Sequence, residues 1–174
     1  MAEAKVENQV ESTDIAIDED DTMRDKYLTF LLGGEVYAAS IEYVIEIVGV
    51  QQITDVPDMP NFVKGVINLR GQVIPVIDVR LRFGMEPKEY DDRTCIMVTR
   101  MKNLSVGLIV DMVEEVRDIT KDLVAAAPKV ATSSSGRFID GIAHMPNNLV
   151  IIIIDINKLL HDNELGALAG EEEE

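Results

Sequence analysis

A chain of 174 residues is long enough for one domain or two small ones that bury a core without disulfides. Its single cysteine, Cys95, excludes an internal disulfide and indicates a reducing, cytosolic setting. The formal net charge of −16 argues against nucleic acid and anionic membranes as partners. The longest apolar run, Leu149–Ile154, is far too short to span a membrane, so we expect no membrane insertion.

Most of the negative charge lies at the two ends of the chain. Residues 1–22 hold eight acidic residues and one lysine, and residues 162–174 hold six acidic residues and no base. We therefore expect a disordered acidic leader over residues 1–22, a structured domain over residues 23–161, and a C-terminal helix with an acidic tail over residues 157–174.

The ordered pattern begins with a predicted hairpin. Tyr27–Leu32 has strand character, and the pair Gly33-Gly34 predicts a turn into a second strand, Val36–Ala39. Apolar residues then recur at i, i+3, i+4 and i+7 from Ile41. This spacing predicts a short helix over about Ser40–Ile47, with Ser40 as its N-cap.

A second hairpin occupies the middle of the chain. Val66–Leu69 and Val73–Asp78 are short and rich in β-branched residues, and Arg70-Gly71-Gln72 supplies a turn in which Gly71 can take a positive φ. Because Pro75 lacks an N–H, we expect the second of these strands to lie at a sheet edge or a bulge.

The second half of the chain predicts two more hairpins and a terminal helix. The hairpins are Thr94–Arg100 with Leu104–Val110, and Phe138–His144 with Leu149–Ile154. Lys121–Gly136 reads as a loop of small residues. Asp155 can cap a helix that extends to about Leu168.

An internal repeat predicts the architecture. Phe62–Val66 matches Phe138–Ile142, and Ile41–Glu46 matches Val110–Glu115, at similar offsets along the chain. Two copies of one unit, each with about five short strands, favour a mainly β fold of two small barrels side by side. We expect the first barrel over about residues 27–86 and the second over about residues 92–156, with short helices and the C-terminal helix.

The sequence offers few residues for catalysis or metal binding. His144 and His161 have no partners at zinc-ligand spacing, and Cys95 has no neighbouring histidine to activate it. No Gly-rich loop links a strand to a helix as in phosphate-binding sites. We therefore expect no catalytic residue, no metal and no cofactor.

One pair of charged residues stands out, Glu46 and Arg70. Both lie in the first copy of the repeat, and the second copy has Pro146 at the position of Arg70. The two residues either form a surface ion pair with little energetic consequence or hold a recognition surface in shape.

The central stretch carries a resemblance to a known family. Residues 62–80 read FVKGVINLRGQVIPVIDVR, and with Val44-Ile45-Glu46-Ile47 before them they resemble the CheW family of chemotaxis coupling proteins. The similarity extends over about Tyr27–Leu160. It implies two SH3-like, five-stranded subdomains and a non-catalytic adaptor that joins chemoreceptor tips to the histidine kinase CheA. It also implies a cytoplasmic location at membrane receptor arrays.

The resemblance also implies a receptor-binding groove between the two subdomains, with an ion pair between Glu46 and Arg70. Its residues are Val44, Glu46, Gly65, Arg70, Cys95, Ile96, Gly107 and Val116. Such an apolar groove would take the apolar face of a receptor helix, and the charges would fix its register. The regulatory domain of the kinase shares this fold in the family, so end-to-end pairing of like barrels is implied, without assigned residues.

Two other functions remain open at this point. The same adaptor could serve a non-flagellar motility or another chemosensory pathway. An enzyme or small-ligand protein could instead use Glu46 and Arg70, with Asp78 nearby in sequence, as a polar site in an apolar cleft.

Overall fold

The computed structural model of the protein describes residues 24–126 and 137–168. The predicted leader, the Ser-rich part of the predicted loop and the acidic tail lie outside these residues. The strands are β1 (Lys26–Leu32), β2 (Glu35–Ser40), β3 (Val44–Gly49), β4 (Val63–Leu69), β5 (Gln72–Asp78), β6 (Cys95–Met101), β7 (Leu104–Val110), β8 (Met112–Asp118), β9 (Val124–Ala125), β10 (Ile139–His144) and β11 (Val150–Ile154). The helices are α1 (Val79–Arg82) and α2 (Asp162–Leu168), and short 3-10 turns lie at Ile41–Tyr43, Lys121–Leu123, Pro146–Asn148 and Ile156–Lys158.

The strands form two sheets, which confirms the prediction of a mainly β fold with two SH3-like subdomains. One sheet has the order β3-β6-β7-β5-β4, and the other has the order β8-β1-β2-β11-β10-β9. The sixth strand of the second sheet, β9, is only two residues long. Each sheet contains one parallel pair, β5 with β7 and β2 with β11, among otherwise antiparallel neighbours.

The sheets divide the chain differently from the repeat in the sequence. We expected barrels over about residues 27–86 and 92–156, but the five-stranded sheet spans residues 44–110. The six-stranded sheet combines residues 26–40 with residues 112–154. The hairpins β1–β2 and β6–β7 occupy equivalent places, and each pairs with strands of the other copy. A sequence repeat shows which segments are alike, but not which of two like hairpins pairs with a given strand.

The local structure supports the repeat itself. The backbone N–H of Asp78 donates to the carbonyl of Phe62 (2.8 Å), and that of Asp155 donates to the carbonyl of Phe138 (2.9 Å). Each aspartate also accepts a hydrogen bond from the turn that follows it. Asp155 caps only a 3-10 turn, however, and α2 begins at Asp162, so the terminal helix is shorter than predicted.

The helix predicted over Ser40–Ile47 is wrong. The chain forms a single 3-10 turn over Ile41–Tyr43 and then enters β3, and the side chain of Ser40 makes no capping hydrogen bond. The segment is rich in β-branched residues, which lose side-chain freedom in a helix and pack well in a strand. Pairing of β3 with β6 therefore outweighs the helical spacing.

We expected the strand with Pro75 to lie at a sheet edge or a bulge. The edge is wrong, whereas the ladder between β4 and β5 has a bulge between Val63 and Gly65, next to the pair of Val66 with Pro75. Pro75 lies on β5, which is between β4 and β7 in the five-stranded sheet. The parallel ladder between β5 and β7 covers only Val76–Asp78. This ladder begins after Pro75, so the missing N–H of the proline removes no hydrogen bond between β5 and β7, and an inner strand can contain it.

One hydrophobic core joins the two sheets. It contains Phe30 and Leu32 of β1 together with Met97 of β6 and Leu108 of β7, all fully buried. Leu165 of α2 packs against the same core. Because this core is shared, the two subdomains pack as one unit.

Candidate functional site

The central hairpin places Arg70 at its tip. Leu69 pairs with Gln72, so Arg70 and Gly71 alone form the turn, and both have positive φ (52° and 85°). Two positive φ values in a two-residue loop match the type I′ turn that suits the twist of a hairpin. The backbone N–H of Gly71 also donates to the side chain of Asn68 (2.9 Å). These contacts confirm the predicted hairpin, with a turn one residue shorter than the predicted Arg70-Gly71-Gln72 because Gln72 already belongs to β5.

The side chain of Arg70 bonds Glu46, as the resemblance implied. The Nη2 of Arg70 donates to the Oε2 of Glu46 on β3. The arginine side chain is 70% exposed and the glutamate side chain 28% exposed, so the ion pair lies at the surface. Because β3 and β4 are the two end strands of this sheet, the pair joins its opposite edges.

Exposed apolar side chains occur on β3 and β5 of the same sheet. Ile45 is 47% exposed and Ile47 is 42% exposed on β3, and Val73 is 64% exposed on β5. Ile45 was not predicted to be exposed because the helical spacing from Ile41 placed it on a buried face. Reading Val44–Gly49 as an alternating, β-branched edge strand would have identified both isoleucines.

Three other predicted site residues lie partly at the surface. Val44 on β3 and Cys95 on β6 are half-buried and pack against the core shared by the two sheets. The Cys95 thiol donates to the carbonyl of Arg93 (3.3 Å). Val116 is 48% exposed, and it lies on β8, at the edge of the other sheet.

The remaining three predicted residues lie beneath the surface. Ile96 is fully buried, and a Cβ added to Gly107 would lie 2.7 Å from its Cγ2 atom. A Cβ on Gly65, whose φ is 144°, would lie 2.0 Å from the carbonyl oxygen of Thr54. Gly65 and Gly107 therefore allow close packing, and with Ile96 they can act on a partner only through the shape of the sheet.

Asp78, the third residue of the alternative polar site, is buried and already bound. It is 3% exposed, and it accepts hydrogen bonds from the backbone of Leu81 (3.3 Å) and the hydroxyl of Tyr90 (2.7 Å). Burial, followed by the hydrogen bond to Asp78, raises the pKa of Tyr90. The tyrosine therefore stays protonated and keeps donating.

A second ion pair lies where the chain passes from one sheet to the other. Arg80 on α1 donates from Nε and Nη2 to the two carboxylate oxygens of Asp111, at 2.7 and 2.8 Å. Asp111 is the single residue between β7 and β8. Burial acts to raise the pKa of Asp111, but the hydrogen bonds from Arg80 and Gly33 outweigh burial and hold that pKa below its ordinary value.

Within residues 24–126 and 137–168, no group of three or more histidine, cysteine or acidic side chains could hold a metal ion. Over the same residues, no helix is long and apolar enough to cross a membrane.

The family model of the CheW-like domain matches residues 26–164, which is most of the chain. The chain belongs to the CheW-like family.

Relatives of this CheW-like chain share about a third of its sequence. It is 34% identical over 145 residues to the chemotaxis protein CheW of Klebsiella aerogenes, an alignment that covers 83% of this chain and 87% of the relative. It is 35% identical over 136 residues to the chemotaxis protein CheW of Bacillus subtilis, which covers 78% of this chain and 86% of the relative.

A solved structure has the same fold. The crystal structure of the scaffolding protein TtCheW from Thermoanaerobacter tengcongensis superimposes with a TM-score of 0.73 at 36% sequence identity. The match covers 80% of this chain and 94% of that structure. The CheW-like fold is therefore shared along nearly the whole of the solved protein.

Proposed function

We propose that this chain is a non-catalytic adaptor that couples the cytoplasmic tips of chemoreceptors to the regulatory domain of the histidine kinase CheA. Its membership of the CheW-like family gives it an adaptor role in chemotaxis. The two named partners, the absence of catalysis and the cytoplasmic location beside receptor arrays are parts of the proposal.

The observation that carries this proposal is the exposed ion pair between Arg70 and Glu46. It lies on a strand edge that also exposes Ile45 and Ile47. A charge pair fixed at the surface suits recognition of an amphipathic helix, since the charges can set the register of the helix while apolar contacts supply affinity. A planar guanidinium fixes that geometry better than a lysine would.

The proposed receptor site combines surface residues with residues that shape the surface from below. Val44, Glu46, Arg70, Cys95 and Val116 would contact the receptor, with Ile45 and Ile47 added from the structure. Gly65, Ile96 and Gly107 would support these residues from inside the sheet, because their environments leave no room for a partner.

The other two candidate functions fare differently. An enzyme or small-ligand site built from Glu46, Arg70 and Asp78 is disfavoured because Asp78 is buried and its carboxylate is engaged by Leu81 and Tyr90. The same adaptor role in a non-flagellar motility or another chemosensory pathway would use the same surface, so the identity of the cognate receptors decides between the pathways.

The test is an amide chemical-shift titration of labelled protein with two partners in separate experiments. One partner is a fragment of the receptor tip, and the other is the regulatory domain of the cognate CheA. We expect two distinct sets of shifted amides, with the receptor set centred on Val44, Arg70 and Val116. If neither partner shifts any amide at high concentration, the coupling role is wrong and only the fold is shared.

A further inference from the structure

Asp111 is the point at which the chain crosses between the two sheets. β7 ends at Val110 in the five-stranded sheet, and β8 begins at Met112 in the six-stranded sheet. The backbone N–H of Asp111 donates to the carbonyl of Leu31 on β1 (3.1 Å). The crossing residue is thus already tied to the six-stranded sheet through its main chain.

The side chain of Asp111 binds both sheets at once. One carboxylate oxygen accepts from the Nε of Arg80, and the other accepts from the Nη2 of Arg80 and from the backbone N–H of Gly33 (2.9 Å). Arg80 lies on α1, directly after β5 of the five-stranded sheet. Gly33 lies in the turn between β1 and β2 of the six-stranded sheet. A single carboxylate therefore links one sheet to the other.

This link has the geometry of a strong contact. The side chains of Arg80 and Asp111 are only 17% and 14% exposed, and the two parallel N–H to oxygen bonds are of the charge-assisted, bidentate kind. Arg80 is held further by a hydrogen bond from its Nη1 to the carbonyl of Glu86 (2.9 Å). A partly buried, two-point ion pair is screened less by water than an exposed ion pair.

The proposed receptor site also draws on both sheets. Val44, Glu46 and Arg70 belong to the five-stranded sheet, and Val116 belongs to β8, which starts immediately after Asp111. A partner that contacts all four residues requires the two sheets to keep one relative orientation. Any rotation of one sheet against the other would change the position of Val116 relative to the ion pair between Glu46 and Arg70.

We propose that Arg80 and Asp111 are positioning residues for partner binding, which hold the two sheets at the orientation that the receptor site requires without touching the receptor. This inference rests on the proposed function. It gives Arg80 and Asp111 a role in recognition although neither residue contacts the partner.

The first experiment measures sheet orientation directly. Residual dipolar couplings of backbone amides are recorded for the full chain and for Arg80→Ala, and each sheet is fitted separately. We expect one common alignment for both sheets in the unaltered protein and two different alignments in Arg80→Ala. If one alignment still fits both sheets of Arg80→Ala, the ion pair does not hold their orientation and the proposal is overturned.

The second experiment measures affinity for a receptor-tip fragment by calorimetry. We expect Arg80→Ala to bind about fivefold or more weakly, the lower end of typical coupling between sites. Arg80→Lys keeps the charge but loses the two-point geometry, so it should fall between the two proteins. If the sheets reorient and the affinity stays unchanged, orientation is irrelevant to binding and the positioning role is rejected.

Tyr90→Phe is the matched control for a general loss of stability. It removes a partly buried hydrogen bond to Asp78 that does not connect the two sheets. We expect this variant to retain both the common alignment and the affinity. If Tyr90→Phe and Arg80→Ala lower the affinity for the receptor-tip fragment equally, the inter-sheet ion pair has no specific role.

The two experiments separate this inference from the proposed function. If the unaltered protein fails to bind the receptor fragment, the proposed function is wrong and the positioning role falls with it. The dipolar couplings would still decide whether the ion pair orients the sheets. If the unaltered protein binds and Arg80→Ala behaves identically in both experiments, the proposed function stands and only the positioning role fails.

Discussion

Arg70 follows β4 and bonds Glu46 on β3, so one ion pair connects the two outermost strands of the five-stranded sheet. The arginine is 70% exposed. Exposed ion pairs contribute about 0–1 kcal/mol to the free energy of unfolding. The pair is therefore too weak to hold the fold, and in the proposed function it fixes two charges in one arrangement at the receptor site.

Arg70→Glu tests this interpretation. We expect the substitution to abolish binding of a receptor-tip fragment, because two carboxylates then face each other at the site. The free energy of unfolding should change by only about 1 kcal/mol, as is usual for surface positions. Calorimetry gives the affinity and urea denaturation gives the stability. Arg100→Glu, an exposed position on β6, serves as the control; a large loss of stability in Arg70→Glu alone would make the pair structural.

Ile47→Ser tests whether the exposed apolar edge of β3 takes part in binding. We expect weaker receptor binding, because a hydroxyl replaces an aliphatic surface that a partner would bury. Stability should change little, since Ile47 is already 42% exposed. Val150→Ser is matched in exposure (44%) but lies on the other sheet, and it should bind normally. Equal affinities of the two variants would remove Ile47 from the proposed site.

Gly65→Ala tests the close packing beneath the central hairpin. We expect a loss of about 2–4 kcal/mol in the free energy of unfolding, because the new Cβ would meet the carbonyl of Thr54 at a strained φ. Gly49→Ala is the matched strand control, since a Cβ at Gly49 meets nothing within 4 Å. It should change stability by less than about 0.5 kcal/mol. Urea denaturation compares the two, and similar losses would contradict the packing argument.

The ion pair between Arg80 and Asp111 predicts an acid dependence of stability. The pKa of Asp111 is lower in the folded protein than its ordinary value of 3.8. Such a carboxyl stabilises the fold fully above its unfolded pKa, and this contribution is lost as the pH falls through the folded pKa. We expect the free energy of unfolding to fall as the pH is lowered below about 4.

Asp111→Asn isolates this contribution. The variant should be less stable than the unaltered protein at neutral pH, and its stability should fall less steeply in acid, because the titrating group has gone. Urea denaturation from about pH 6 to about pH 2 measures both slopes. Asp92→Asn, at an exposed position, should keep the original slope. Parallel slopes for Asp111→Asn and the unaltered protein would show that Asp111 does not contribute to the acid loss.

Hairpins were the most predictable part of the fold. The Gly33-Gly34 pair and the Arg70-Gly71 pair identify turns because their backbone conformations favour glycine, and both hairpins are confirmed. The exchange of hairpins between the two repeats was not predictable. The two hairpins are alike in sequence pattern. Which of them pairs with a given strand depends on how side chains pack in the shared core, and sequence periodicity carries no information on that packing.

The candidate site was predicted in part. The ion pair between Glu46 and Arg70 is present as the resemblance implied. The exposed face of Ile45 was missed because its place in the i, i+3 and i+4 spacing from Ile41 indicated the buried face of a helix, whereas the segment is an edge strand. The link between Arg80 and Asp111 joins residues 31 positions apart, one on α1 and the other between β7 and β8, and a single sequence does not show that contact.

The exchanged hairpins affect how the chain can fold as it is synthesised. β1 and β2 leave the ribosome first, yet the strands that flank them in their sheet, β8 and β11, are made only after the whole five-stranded sheet. The five-stranded sheet is complete once Val110 has emerged, whereas the N-terminal hairpin gains its first partner, β8, only after that point and its second partner, β11, once Ile154 follows. Long-range pairing of this kind slows folding and leaves strand edges open in the meantime. A chain truncated before β11 would therefore leave the edge of β2 unpaired and open to association with other chains, rather than form half of a working protein.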